Sequence, residues 1–540
     1  MHSLLGLVLG SILGAAYVNA GPVYKRVNGK PVVSFSLGRA EEDPEFVLDV
    51  SNRKRAEQFP VINSTFDRSG SYFTNLTIGN PSKQYSLVMD TGSPYTWITA
   101  SNVTSFNTSE VGLSYTDGLN TSALREGVCG TYQCYNYTST TLEVTNSSVV
   151  GFLSTYGDNT TVVGFNVVDE LDIGGLSLNN FEFGLGTREF VSEDVPVTGG
   201  ILGLSPPISI YGISDTNRLV DFAAPTLLEQ LKTAGIVTST AFSLSLDSAG
   251  GELVIGGYDT DKYTGDMHWL SISNSGSNSY YGVKIASMSI NTANTTSTTS
   301  NSALSNFQKR NTISTSVSIN DIIILDSGTT LVYIPSDALE AIVNAYGGIL
   351  DTSSYAYVLC DSISDEDTIT FQFNNNASFN ISVNDMVFYR DNSQGQGICY
   401  LAFIPTTDTY ILGQYFLRQV YTVYDWDAQL IGLASIQNST SSNVIDIASA
   451  VSSIVSTTFS TTYASHTYVS SVDVLSSGSG EPEATATSQV GVTTSAVHTT
   501  YTSPLTATTH TTATGSGAVS YGFRFGVVGA VLLLSCLVMA

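Results

Sequence analysis

Val88-Met89-Asp90-Thr91-Gly92-Ser93 and Ile324-Leu325-Asp326-Ser327-Gly328-Thr329 spell one pattern twice: two apolar residues, Asp, a hydroxyl, Gly, a hydroxyl. At average composition, Asp-[Ser/Thr]-Gly-[Ser/Thr] arises by chance about 0.03 times in a chain of this length, so a pair is a strong signal. Each Asp follows an apolar run, which places it at the end of a buried strand. Glycine in the third place permits a tight turn and close backbone approach. The flanking hydroxyls can hydrogen-bond the carboxylate and fix its orientation. A near miss, Asp247-Ser248-Ala249, lacks the glycine and reads as a hairpin turn without a catalytic role.

Each motif has a later partner in its own half, Ile201-Leu202-Gly203 and Ile411-Leu412-Gly413. The chain therefore reads as two copies of one β lobe facing each other across a cleft, each giving one Asp. Between about 68 and 436, runs such as "YFTNLTIG", "GELVIGG" and "TITFQFN" are β-branched and aromatic and are bounded by Gly, Asn, Asp and Ser. Only "APTLLEQLKTAG" and "SDALEAIVNAYG" carry a clear helical period, each opening on a plausible cap and closing on Gly. The fold expectation is all-β with a few short helices. The N-terminal lobe is drawn at 56–262 and the C-terminal lobe at 263–436. The polar stretches 101–128 and 291–319 read as surface loops; a cut after Arg310 in the second would give a two-chain protein.

The ends are different. "MHSLLGLVLGSILGAAYVNA" is a short apolar run closing on small residues, as a secretory signal does, so 1–20 is read as one. Residues 21–55 are charged and end in "SNRKR", which suits a propeptide cut at paired basic residues; a solvated charge run is the other reading. Residues 437–515 are rich in Ser, Thr and Ala and read as a glycosylated stalk. The apolar end, 516–540, follows small residues and a spacer, the pattern of a GPI-attachment signal, with Gly515 taken as the attachment residue. A tail-end transmembrane helix is the alternative, but no basic residue stands on the side that would face the cytoplasm. Five cysteines are present, and Cys536 lies in that tail. The rest, Cys129, Cys134, Cys360 and Cys399, are expected as disulfides in a secreted chain, with local pairing preferred among three possible pairings. Dense Asn-x-Ser/Thr sequons, from Asn63 to Asn438, fit the same route.

Composition removes several classes. With 20 Lys and Arg against 46 Asp and Glu, the formal net charge is −26, which argues against a nucleic-acid partner. A Ser-His-Asp or Cys-His site needs a histidine. Of five, only His268 lies in the folded stretch, and beside Trp269 it reads as a packed residue. No metal-ligand cluster, P-loop or dinucleotide fingerprint is present, so neither cofactor nor metal is expected.

At this level the chain resembles the pepsin-like aspartic proteases. The likeness covers about 68–436: "VMDTGSPYTWI" with Trp97, "STYGDN" with Tyr156 and Gly157, "GELVIGGYDTDKYTGDMHWLSI", "ILDSGTTLVYIP" and "ILGQYFLRQVYTVYDWDAQLIGLA". With a propeptide, stalk and GPI signal added, it looks most like the fungal yapsins. The resemblance implies a bilobal fold with the cleft between pseudo-symmetric lobes, and an acid-acting endopeptidase, monomeric, on protein and peptide substrates. It implies catalysis by Asp90 and Asp326, support from Ser93 and Thr329, and a flap carrying Tyr156. Gly92, Gly328, Thr330, Tyr156, Gly157 and Asp158 are the expected substrate contacts. Asp158 near the flap tip is associated in related enzymes with accepting Lys or Arg; shaping the flap turn is its alternative role. Tyr115 in "SYTDG" is a rival flap tyrosine, discounted because it lies in the insertion. Pro94 and Gln414 depart from the family pattern. The expected place is the outer membrane face, through the GPI anchor, or the cell wall. A catalytically dead wall glycoprotein is the rival from another class, which retention of both Asp motifs disfavours.

Overall fold

The strand Lys83–Asp90 buries its last four residues and stops at Asp90, where the apolar run gives way to the Thr-Gly turn. That strand belongs to a computed structural model describing residues 22–39, 71–107, 133–145, 147–157, 160–173, 175–191, 199–216, 218–248, 250–273, 280–292, 314–351, 354–391 and 397–447. The stretches read as a signal, as a cut site at 51–55, as a stalk beyond 447 and as an attachment signal lie outside them, as do Tyr115, Cys129, Asp158, Lys309-Arg310 and Gly515.

The architecture is nearly all β, with three α-helices among the described residues. A 17-stranded sheet holds the N-terminal half and the strands joining the halves; seven- and four-stranded sheets make the C-terminal half. Both halves repeat one construction. Gly200–Gly203 runs parallel to the Asp90 strand, with Ile201 opposite Val88 and Gly203 opposite Asp90. Its other side meets Trp97 and Ile98. In the second half, Ile411 and Leu412 lie parallel to Ile324 and Leu325, and their other side meets Tyr333 and Val332. Strands paired on both edges by apolar neighbours are largely withdrawn from water, with Leu202 and Leu412 fully buried, which suits their apolar runs. The halves are joined by shared pairing: Phe242, from the first, is opposite Tyr424, from the last strands.

The helix Leu227–Thr233 buries Leu227, Leu228 and Leu231 and opens with a full capping box, Thr226 and Glu229 exchanging hydrogen bonds. Thr226→Ala is expected to cost about 1 kcal/mol, read as a lower denaturation midpoint. The second expected helix, Ser336–Ala345, differs at its start. Pro335 is its N-cap without a side-chain bond, so Ser336 sits inside the first turn rather than capping it.

Three boundaries move. Residues 23–39, inside the stretch read as a propeptide, form two strands of the large sheet. Lys30–Arg39 pairs with Gly250–Ile255, and Val32, Val33, Phe35 and Leu37 are buried. The alternating apolar residues of "PVVSFSL" explain this, and the charges around them hid the pattern. The folded chain also continues past 436. Val444–Asp446 pairs with Gly257–Asp259, and Ile447 is buried beside Trp269 and Tyr421. Lys30 ion-pairs with buried Asp446 at 2.9 Å. Finally, both polar stretches read as loops have strand at their ends: Trp97–Asn107 enters the first, and Ser314–Leu325 leaves the second. Alternating Ser, Thr and Val at 314–318 suits a half-exposed strand as well as a loop.

Candidate active site

Asp90 and Asp326 end their strands face to face. Asp90 accepts from the Gly92 amide at 2.7 Å and from Ser93 Oγ at 2.6 Å. Asp326 accepts from the Gly328 amide at 2.9 Å and from Thr329 Oγ1 at 2.6 Å. Each turn thus spends one amide and one hydroxyl on its own carboxylate, one on each oxygen. A Cβ added to Gly92 would stand 2.7 Å from Asp326 Oδ1, and one on Gly328 would stand 2.4 Å from Asp90 Oδ1. The glycine of each turn faces the carboxylate of the other. Any side chain there would separate the pair.

The hydroxyls directly after each Asp do not hold their own carboxylates, as the sequence reading allowed. They cross between the halves. Thr91 Oγ1 donates to Leu325 O at 3.0 Å and accepts from the Ser327 amide at 2.9 Å. Ser327 Oγ donates to Met89 O at 3.0 Å and accepts from the Thr91 amide at 3.1 Å. Both hydroxyls are fully buried, so these bonds are shielded from water and fix the carboxylate spacing. Gln414, the departure noted above, adds a brace: its Nε2 donates to Ser327 O at 2.8 Å from the short helix Gln414–Leu417. Thr330 is buried and its carbonyl accepts from the Tyr415 amide at 3.2 Å.

Asp90 is buried, whereas Asp326 is partly open. Burial, and then the charge of Asp326, push the Asp90 carboxyl up to about 7. Two carboxylates this close cannot both be ionised. The consequence for stability has a definite sign. The folded state holds a proton on Asp90 up to about pH 7, whereas an unfolded Asp releases it near pH ~3.9. Stability is therefore full below pH ~4 and falls as pH rises toward ~7. Asp425, pushed up to about 6 mainly by burial, acts in the same direction. The melting temperature is expected to fall steadily between pH 4 and 7, and to fall less in Asp90→Asn. A flat profile would contradict the raised carboxyl.

Over this pair stands the hairpin formed by Val149–Thr155 and Thr161–Ile173. Near its tip, Tyr156 donates its amide to Thr160 O at 2.8 Å, and its hydroxyl accepts from Trp97 Nε1 at 2.6 Å. Burial and then the charge of Asp90 hold the Tyr156 hydroxyl well above its ordinary range, so it stays protonated. Gly157 is exposed, with open space where a Cβ would stand. The Trp97 partner was not legible beforehand; its fixed spacing from Asp90 was the only sign.

Elsewhere, Cys360 and Cys399 form a disulfide. Cys134 is disulfide-bonded too, with its expected partner Cys129 outside the described residues. His268 packs edge-on to Phe379 at 6.0 Å, and Asp247 accepts from the Gly250 amide in a hairpin turn.

Two β lobes, each delivering one Asp to a common cleft beneath a tyrosine-bearing hairpin, define an aspartic-type endopeptidase. The chain belongs to the eukaryotic aspartyl protease family, whose description matches residues 71–436. It is 42% identical to the aspartic proteinase sxa1 of Schizosaccharomyces pombe over 83% of this chain and 84% of that protein. It is 30% identical to the aspartic proteinase yapsin-1 of the same yeast over 69% of this chain and 68% of that protein. Among solved structures, an aspartic proteinase from Irpex lacteus matches with a TM-score of 0.47 and 23% identity, over 69% of this chain and 96% of that one.

Proposed function

We propose that Asp90 and Asp326 are the catalytic pair of a secreted, GPI-anchored endopeptidase that cleaves proteins at acidic pH near a cell surface or wall. The observation that carries the reading is the mirrored carboxylate pair with one raised pKa. The pair shares one proton. Its ionised member takes a proton from a water as that oxygen attacks the scissile carbonyl carbon. Its protonated member gives its proton to the carbonyl oxygen, producing a neutral tetrahedral intermediate. Collapse re-forms the carbonyl, breaks the C–N bond and sends a proton to the departing amine. The two carboxyls exchange roles through the cycle and titrate as one unit. Tyr156, with Gly157 and Asp158, would close over the substrate and exclude water. Gly92, Gly328 and Thr330 line the floor.

A preference for Lys or Arg beside the cleaved bond follows from Asp158 near the flap tip and from the net charge of −26. The apolar terminus with Gly515 supports anchoring; among the described residues no helix is long and apolar enough to cross a membrane. Monomeric action, and a two-chain form if the chain is cut after Arg310, complete the reading. The test is cleavage of a peptide library between pH 3 and 7 by the secreted chain, beside Asp90→Asn. Acid-dependent cuts beside basic residues support the whole reading. Acid-dependent cuts without that preference remove the Asp158 role. No cleavage by a folded enzyme turns the assignment to a binding or spacing glycoprotein.

A further inference from the structure

The flap is not a free two-stranded ribbon. In "ISIYGISDTNRLVDF" two largely apolar runs flank the polar stretch Ser-Asp-Thr-Asn, which is hairpin chemistry. Ile210–Ser214 and Leu219–Phe222 form that hairpin, with Ile210 opposite Phe222. Its first strand lies along the outer edge of the flap strand: Tyr211 opposite Leu153, Gly212 opposite Phe152, Ile213 opposite Gly151. The turn adds a bond from the Asp215 amide to Ser148 O at 3.0 Å. Gly212 makes the close approach possible, since a Cβ there would stand 2.4 Å from Val149 Cγ1. The pairing stops at Leu153. Beyond it, Ser154 and Thr155 pair with Val162 and Thr161 of the flap's own second strand.

The side chains point to the same place. Phe222 packs edge-on to Tyr95 at 5.7 Å, and Tyr95 packs edge-on to Phe152 at 5.4 Å. Trp97, Val162 and Ala224 complete this cluster, and Tyr156 and Ile210 both rest against it. One hairpin therefore fixes the flap base through its backbone and supports the seat of Tyr156 through Ile210 and Phe222.

We infer that the hairpin Ile210–Phe222 is a positioning element for the flap, with Ile210 and Phe222 setting how much of the free enzyme holds Tyr156 in its substrate-ready place. The inference rests on the proposed role of Tyr156 over the cleft. Its physical content is a population. Apparent affinity scales with the fraction of enzyme in the competent arrangement, while a complex that has closed turns over as before. Loss of the Phe222 ring lowers that fraction. It should raise KM and leave kcat nearly alone.

The experiment compares Phe222→Ala, Phe222→Leu and Ile210→Ala with wild type on one peptide substrate at acidic pH, alone and in a Tyr156→Ala background. Phe222→Ala is expected to raise KM roughly tenfold with kcat within about twofold, and Phe222→Leu to restore most of the loss. In the Tyr156→Ala background the same change should add less than about twofold, because the group it positions is gone. If Phe222→Ala fails to fold, Ile210→Ala carries the same test from a half-buried position. A lowered melting temperature with unchanged KM would overturn the inference and leave a packing role. So would a full KM effect without Tyr156, or a loss in kcat alone. A wild type that cleaves nothing would remove the proposed function itself, whereas an active wild type with an indifferent Phe222→Ala removes only this inference.

Discussion

Asp90→Asn is expected to lower kcat/KM by roughly four orders of magnitude at acidic pH, without unfolding the protein. An amide cannot take a proton from water, so the pair loses its base in one direction and its shared proton in the other. The geometry changes as well. Asp90 is held by two donors, the Gly92 amide and Ser93 Oγ, one on each oxygen. An Asn keeps the Gly92 amide on its oxygen only by turning its NH2 toward Ser93 Oγ, which then accepts where it had donated. The same change removes a buried carboxyl raised to about 7, so the variant should be more stable than wild type at neutral pH. Activity and stability then move in opposite directions, which ordinary misfolding does not produce. Asp326→Asn should match the activity loss, and the double variant should be little worse than either single one. Retention of more than about 1% of activity in Asp90→Asn would overturn the pair.

Gly328→Ala should lose roughly 10²-fold in kcat although the added group is one methyl. Its Cβ would stand 2.4 Å from Asp90 Oδ1, well inside contact distance. The Asp90 carboxyl has little room to yield, because Gly92 and Ser93 grip it and Thr91 is tied to the opposite half. The strain must move one turn against the other and spread the carboxylates. Gly92→Ala meets Asp326 at 2.7 Å and should behave alike, somewhat more mildly since Asp326 is less enclosed. Gly157→Ala separates the two effects: nothing lies within 4 Å of its Cβ, and as a flap position it should change KM while kcat stays within about twofold. Equal losses in all three would point to a general intolerance of alanine, not to the carboxylate spacing.

Much of this site was readable because its information is local. Asp-x-Gly and the apolar-apolar-Gly partners sit within a few residues of the strands they specify, and each half repeats them. What escaped the sequence is what depends on the meeting of distant segments. A hydroxyl at Thr91 or Ser327 can bond its own Asp or the opposite backbone, and only the assembled interface selects the second. The Trp97 bond to Tyr156 joins residues on separate strands with no shared pattern. The strand Lys30–Arg39 was obscured by flanking charge, although its alternation was present. Val444–Asp446 is too short to carry a periodic signal against a polar background.

The clasp formed by Val444–Asp446 also has a mechanical meaning. Any pull transmitted along the chain beyond Ile447 reaches the clasp before it reaches Leu430–Ile436, the strand woven into the joining sheet. To pass further, the load must draw Ile447 from its apolar seat, break the pairing with Gly257–Asp259 and part Asp446 from Lys30. The short strand therefore works as strain relief, yielding under tension while the carboxylate spacing is left undisturbed.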